Sequence, residues 1–223
     1  MNFTEAMSAR HTVRKYKDTP LSKEVVEQLQ ARIDANNEKL GTAISLVTDT
    51  EEGIPGIVKL LMTKNVKNYF VLAGPETPDM EEKLGYASAD LMLYAQTIGL
   101  NTWWIGGTFS RNGVRKAAGA ADENKVIGIV VVGYGENQGR PHKSKKAEEI
   151  SSYEGEAPDW FKAGVEAVLL APTAVNRQAY TIAGKGSQVT MTCKKGAFSD
   201  ADLGIGKYHF EIGAGKDAFD WKK

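Results

Sequence analysis

The chain has 223 residues, 42% of them hydrophobic and 25% charged, which is the composition of an ordinary soluble globular protein able to bury a sizeable core. Its 28 Lys and Arg balance its 28 Asp and Glu, so no overall field favours nucleic acid or an anionic membrane, and any bound anion must be caught locally. No apolar run reaches the length of a membrane span, the first residues lack a signal-peptide pattern, and the single Cys193 permits no internal disulfide; together these fit a cytoplasmic protein.

Residues 2–9 read as a short helix running into Arg10-His11-Thr12-Val13-Arg14. Ser22 is placed to cap a second helix whose Val25, Val26, Leu29 and Ile33 share one face. Strands are expected at 42–48 and 68–73, with a short helix at 55–62 between them. The strongest periodicity lies in 79–99, where Leu84, Ala87, Leu91, Ala95 and Ile98 recur every three or four residues, Asp79 can cap the start and Gly99 can end the helix. Strands follow at 102–105 and 125–133 around a small helix near 112–119. The second of these strands is apolar without alternation, as expected for a central strand covered on both faces. Residues 134–157 read as a connection. A helix at 158–170, strands at 180–184 and 187–193 and a helix at about 200–213 complete the chain. Helices and strands mix without a βαβ repeat, which predicts an α+β fold. The order helix, strand, strand, long helix occurs twice, in 22–99 and 158–213, and suggests two related halves.

Chemistry-bearing residues are sparse. His11, His142 and His209 are scattered with no metal-ligand spacing, and Cys193, within an alternating strand, reads as a buried structural thiol. In an extended stretch Arg10, Thr12 and Arg14 share a side, so they suit either a phosphate or polar ring, or a solvated basic turn. Lys143-Ser144-Lys145-Lys146 reads as a phosphate clamp or a basic linker. Gly106-Gly107, after an apolar strand, permits close approach of a flat ligand or makes a plain turn. The helix at 158–170 stops at Pro172 and is followed by Thr173, Ala174, Asn176 and Gln178, an unusually dense polar cluster for a helix end.

Taken together, these elements resemble the FMN-dependent nitroreductase family. ArgHisThrValArg is similar to its N-terminal Arg-Arg/His-Ser-x-Arg/Lys element, and ProThrAlaValAsnArgGln to its Pro-Ser-x-x-Asn-x-Gln element. GlyLeuAsnThrTrpTrpIleGlyGly resembles its Gly-Leu-Gly-Thr-x-x-Ile-Gly turn, and HisLysSerLys its Lys/Arg-x-Arg clamp. The resemblance implies a three-layer α/β/α sandwich with a mixed, mostly antiparallel sheet. It implies that Arg10, His11, Thr12 and Arg14 hold the flavin's phosphate, ribityl chain and pyrimidine edge, with Lys143 and Lys145 on the phosphate. Gly106 and Gly107 would lie beneath the ring system, and Pro172, Thr173, Ala174, Asn176 and Gln178 would form its wall. No side chain is expected to act as nucleophile or metal ligand.

The implied activity is electron transfer from NAD(P)H through FMN to a nitroaromatic, quinone or similar acceptor by a ping-pong mechanism. A flavin-binding module without catalysis, or a dehalogenating or flavin-fragmenting relative, are the alternatives. In this chain the Pro-Thr-x-x-Asn-x-Gln element follows the helix at 158–170, whereas the family's element follows the first long helix. Residues 1–150 are therefore expected to form the main half and 151–223 to stand in for the partner subunit of a homodimer, giving a monomeric pseudo-dimer.

Overall fold

Asn2 starts the first helix, α1 (Phe3–Ala9): its side chain accepts the Glu5 N–H while the Glu5 carboxylate returns to the Asn2 N–H, which satisfies two otherwise unpaired donors. The computed structural model describes residues 1–56, 63–119 and 123–222; the helix expected at 55–62 falls mostly outside them. Helix α2 (Lys23–Leu40) begins as expected at Ser22, whose Oγ accepts the Val25 N–H, and ends at Gly41 with φ +68°. Strand β1 (Ser45–Val47) and β2 (Tyr69–Gly74) precede the central helix α3 (Met80–Thr97). Asp79 stands at the start of α3 but does not cap it; its carboxylate takes the Thr77 hydroxyl and pairs with Lys83 instead. Strand β3 (Asn101–Ile105), helix α4 (Arg111–Ala118) and strand β4 (Lys125–Gly133) complete the first half.

The 134–157 segment is more than a connection. It contains a single helical turn, α5 (Ala147–Ile150), and an edge strand, β5 (Ser151–Tyr153), both too short to leave a periodic signal. Helix α6 (Asp159–Leu169), strands β6 (Tyr180–Lys185) and β7 (Gln188–Cys193), the long α7 (Ser199–Ala214) and a two-residue β8 (Asp220–Trp221) follow.

Among the described residues two four-stranded sheets result. The first runs β1-β2-β4-β3 with every pairing antiparallel; the second runs β5-β6-β7-β8, with an antiparallel centre and parallel edges. All strands of the first precede residue 150 and all strands of the second follow it. Strand β4 is buried from Val126 to Gly133 because apolar clusters cover both sheet faces. The second sheet differs: β6 alternates buried Tyr180 and Ile182 with outward Thr181 and Lys185, so helices cover only one face. Cys193, on β7, is half-buried at the margin of that core, with its thiol pushed up to about 11 by burial.

Among the described residues helices α3 and α7 form the most extensive helix contact, and glycines make it close. A Cβ at Gly85 would collide with the Ala201 backbone, and one at Gly204 with the Glu82 carbonyl and the Tyr86 amide. Asp90, buried on α3, ties the layers together. It accepts from Arg32 Nε at 2.7 Å, Asn36 Nδ2 at 2.7 Å and Tyr208 Oη at 2.5 Å, joining α2, α3 and α7.

Candidate active site

Arg10 follows the last turn of α1, where its N–H closes the helix on the Ala6 carbonyl at 2.8 Å. That geometry turns its side chain inward, and the residue is 3% exposed. The guanidinium forms no ion pair, and its Nε no hydrogen bond, among the described residues. Burial alone lowers it to about 10. His11 is half-buried; its imidazole is lowered first by burial and then by Arg10 and His142 nearby, while the Arg10 carbonyl opposes the shift. The three histidines are thus scattered in sequence but not in space, because Arg10 and His142 also act on His209. Among the described residues no group of three or more His, Cys, Asp or Glu side chains could hold a metal ion.

Thr12 and Val13 run beside β3, with Thr12 bridging Thr102 and the Val13 N–H on the Thr102 carbonyl at 3.1 Å. The Thr102 hydroxyl beneath them is buried without a partner. Arg14 lies at the surface with its guanidinium 5.2 Å from the Trp103 ring centre. Arg10, Thr12 and Arg14 therefore alternate as the sequence predicts but end at different depths.

The 142–145 and 172–178 segments are stitched into one unit. The Leu169 carbonyl, left free at the end of α6, receives His142 Nε2 at 2.9 Å, Ser144 Oγ at 2.9 Å and Gln178 Nε2 at 3.1 Å. Gln178, 1% exposed, takes the Lys145 N–H on its Oε1 at 2.7 Å, and its backbone carbonyl takes Lys145 Nζ at 2.9 Å. Asn176 Nδ2 donates to the Lys143 carbonyl at 2.8 Å, and the Thr173 hydroxyl accepts the Gln178 N–H at 3.0 Å. Lys143, Lys145, Thr173, Asn176 and Gln178 thus come together, and Gln178 spends its amide on holding the wall in place.

Between these ties the loop is strained. Val175, Asn176 and Gln178 have φ of 47°, 57° and 43°, the left-handed region that a β-branched residue such as Val175 rarely enters. Asp202, in the first turn of α7, anchors the strained segment by accepting the Ala174 N–H at 3.0 Å. Its carboxyl is pushed up to about 6 by burial, against the pull of the Ala174 N–H and Arg177.

Gly106 closes β3 beneath an aromatic pair. A Cβ there would strike Phe198 and Trp104, whose rings meet edge to face at 5.4 Å, so the close approach it allows is to the chain's own side chains. Gly107 faces open space. Phe198, Asp202 and His209 carry no motif in the sequence; a lone acid or histidine on a helix gives no signal until the fold places its neighbours. Lys64, whose position precedes β2, pairs with Glu136 at 2.5 Å, and its N–H reaches the Arg14 carbonyl at 3.2 Å. Two surface cavities, of about 250 Å³ around Lys17, Asp49 and Lys67 and about 380 Å³ around Glu76, Lys125 and Asp200, include none of the motif residues.

A protein-family model described as Putative TM nitroreductase matches residues 2–214, nearly the whole chain. The chain belongs to this nitroreductase family. It is by family a nitroreductase-like oxidoreductase, and its α+β fold is the nitroreductase fold. A nitroreductase from Thermotoga maritima is similar in structure with a TM-score of 0.67 at 20% identity, over 97% of this chain and 85% of that one. An NADH dehydrogenase/NAD(P)H nitroreductase from Parabacteroides distasonis has a TM-score of 0.53 at 24% identity, over 67% of this chain and 97% of its own. The NfrA1 nitroreductase of B. subtilis has a TM-score of 0.52 at 18% identity, over 66% of this chain and 72% of that chain. No curated protein matches this member of the nitroreductase family. No helix among its described residues is long and apolar enough to cross a membrane.

Proposed function

We propose that this chain is an FMN-dependent oxidoreductase that passes electrons from NAD(P)H to a small electron-poor acceptor, such as a nitroaromatic or a quinone. The observation that carries the reading is Arg10. A buried guanidinium without a counter-charge costs several kcal/mol, and an incoming anion removes that cost. Arg10 stands in the motif that resembles the family's phosphate-binding element, and its Nε and the nearby Thr102 hydroxyl are both buried without partners. The unpaired Arg10 and Thr102 groups support an anion there, and in this reading Arg10 takes the phosphate with Lys143 and Lys145, and Thr12 and Arg14 take the ribityl chain and pyrimidine edge. In this reading His11 adds a contact beside Arg10, Gly107, which faces open space, lies toward the ring while Gly106 is covered by Phe198 and Trp104, and Pro172, Thr173, Ala174, Asn176 and Gln178 form the wall. When bound, FMN supplies the redox chemistry, accepting hydride from the nicotinamide and delivering electrons to the acceptor. In this reading the nicotinamide and the acceptor would occupy the same place in turn, which would make the kinetics ping-pong.

Residues 151–223 stand, in this reading, where a partner subunit stands in a dimeric relative. The packing of α7 on α3 supports it, as does the coverage of the Parabacteroides protein, 97% of which is matched by 67% of this chain. The lone half-buried Cys193 suits a reducing, cytoplasmic setting.

Anaerobic mixing of the FMN-loaded protein with NADH and with NADPH tests the function. Rapid bleaching of the flavin absorbance by either, followed by recovery on adding a quinone, is the expected result. A flavin that binds but does not bleach would reduce the protein to a binding module.

A further inference from the structure

Arg177 occupies a position that the Pro-Thr-x-x-Asn-x-Gln element leaves open, between Asn176 and Gln178, and the fold surrounds it with further positive charge. Strands β6 and β7 pair as far as Tyr180 with Cys193, and the chain continues in step beyond them, the Lys194 N–H donating to the Ala179 carbonyl at 2.9 Å. Two residues further on, Gly196 falls beside Arg177, whose guanidinium lies so close to the Gly196 backbone that a Cβ there would collide with it. Backbone pairing therefore anchors Lys194 and Lys195 next to Arg177. Lys145 Nζ reaches the same place from another segment, on the Gln178 carbonyl at 2.9 Å. No Asp or Glu lies between Ala171 and Phe198, and among the described residues none of Arg177, Lys194 and Lys195 forms an ion pair. Like charges gathered in this way repel one another, and an anion relieves them.

Exposure separates this cluster from Arg10. Arg10 is buried and suits a resident phosphate, whereas Lys194 and Lys195 are exposed and Arg177 is half-buried. Exposed cations attract at long range and hold weakly, which suits a ligand that must arrive and leave in every turnover. We propose that Arg177, Lys194 and Lys195 receive the 2′-phosphate of the nicotinamide nucleotide, which makes NADPH the preferred electron donor over NADH. The inference rests on the oxidoreductase reading above. NADH lacks that phosphate and is otherwise identical, so a cation cluster placed there discriminates between the two donors.

Flavin bleaching at increasing NADPH and NADH, together with calorimetric binding of adenosine 2′,5′-bisphosphate and adenosine 5′-monophosphate to the FMN-loaded protein, tests the assignment. Wild type is expected to need roughly tenfold less NADPH than NADH and to bind the bisphosphate in preference, an advantage that shrinks as salt is raised. The double variant Lys194→Ala with Lys195→Ala should raise the NADPH requirement roughly tenfold, while the NADH requirement and the FMN affinity move by less than about twofold. Lys194→Glu with Lys195→Glu should invert the preference, which a change in loop packing alone would not do. Equal losses for both nucleotides, an NADPH requirement that does not move, or a wild type that favours NADH overturns the proposal. A flavin that neither nucleotide bleaches sinks the functional reading instead, and bisphosphate binding that survives both double variants overturns the site in either case.

Discussion

The Asp202 carboxylate and the Ala174 amide, 28 residues apart, are joined by a hydrogen bond of 3.0 Å that fixes the strained 173–178 loop to the first turn of α7. Its energetic sign is unusual, because burial raises the carboxyl to about 6 from an ordinary 3.8. A carboxyl held above its unfolded value destabilises the fold when ionised. That cost is full above pH 6 and disappears as pH falls toward 4. At about 1.4 kcal/mol for each tenfold change in protonation, it amounts to roughly 3 kcal/mol. Asp202→Asn, whose amide oxygen can still accept the Ala174 N–H, should therefore stabilise the protein by up to that amount at pH 8 and by much less at pH 4. Urea unfolding at both values measures it.

His209 works in the opposite direction. Its imidazole falls to about 4 from 6.5, so the folded protein resists taking up a proton that the unfolded chain accepts. Stability is lost as pH drops from 6.5 toward 4, again by roughly 3 kcal/mol. In wild type this loss and the Asp202 gain nearly cancel, giving a flat profile across the window. Asp202→Asn should unmask a steep acid loss, and adding His209→Leu should flatten it again. A wild-type midpoint that falls steeply over the same range would contradict this balance.

The glycines of the α3–α7 crossing have no room for a methyl group. Gly204→Ala would place its Cβ against the Glu82 carbonyl, which is helix backbone and cannot step aside, so the helices must separate. A cost of roughly 1–3 kcal/mol or more is expected from such overpacking. Gly155→Ala is a poor control because its φ is +93°, whereas Gly107, with open space around it and no such φ, is a fair one. Thermal unfolding of Gly204→Ala beside Gly107→Ala checks the difference.

Arg10→Ala should weaken FMN binding by roughly ten- to a hundredfold, the range for losing charge-assisted hydrogen bonds. Lys146, exposed and only 4.0 Å from Glu148, should tolerate the same change with little effect. Equal affinities in a fluorescence titration would remove Arg10 from the site.

Much of this fold was legible in the sequence. The spacing of Leu84, Ala87, Leu91 and Ala95 located α3, and the unbroken apolar run of β4 announced a strand covered on both sides. Ser22 and Gly99 marked helix ends because their roles depend on local backbone geometry alone. Asp79 did not cap its helix, since Thr77 and Lys83 compete for the same carboxylate. Strands β5 and β8 left no signal, because segments of two or three residues owe their form to the neighbours they pair with. In the candidate site the motifs pointed to Arg10 and Gln178, but not to their surroundings: the burial of Arg10 and the ties of Gln178 to Leu169 and Lys145 come only with the fold. Asp202 acts through a contact made across 28 residues, and no local pattern records such a contact.

Assembly offers a further check. If residues 151–223 take the place of a partner subunit, light scattering after gel filtration should give a monomer with one FMN per chain. A dimer whose sites need residues from both chains would remove that reading.

The crossing at Gly85 and Gly204 also bears on how such a protein can change over generations. Where two identical copies meet across an axis, one altered codon changes both sides of the contact at once. Here each side has its own codon, so a bulkier residue on α3 can be answered by a smaller one on α7.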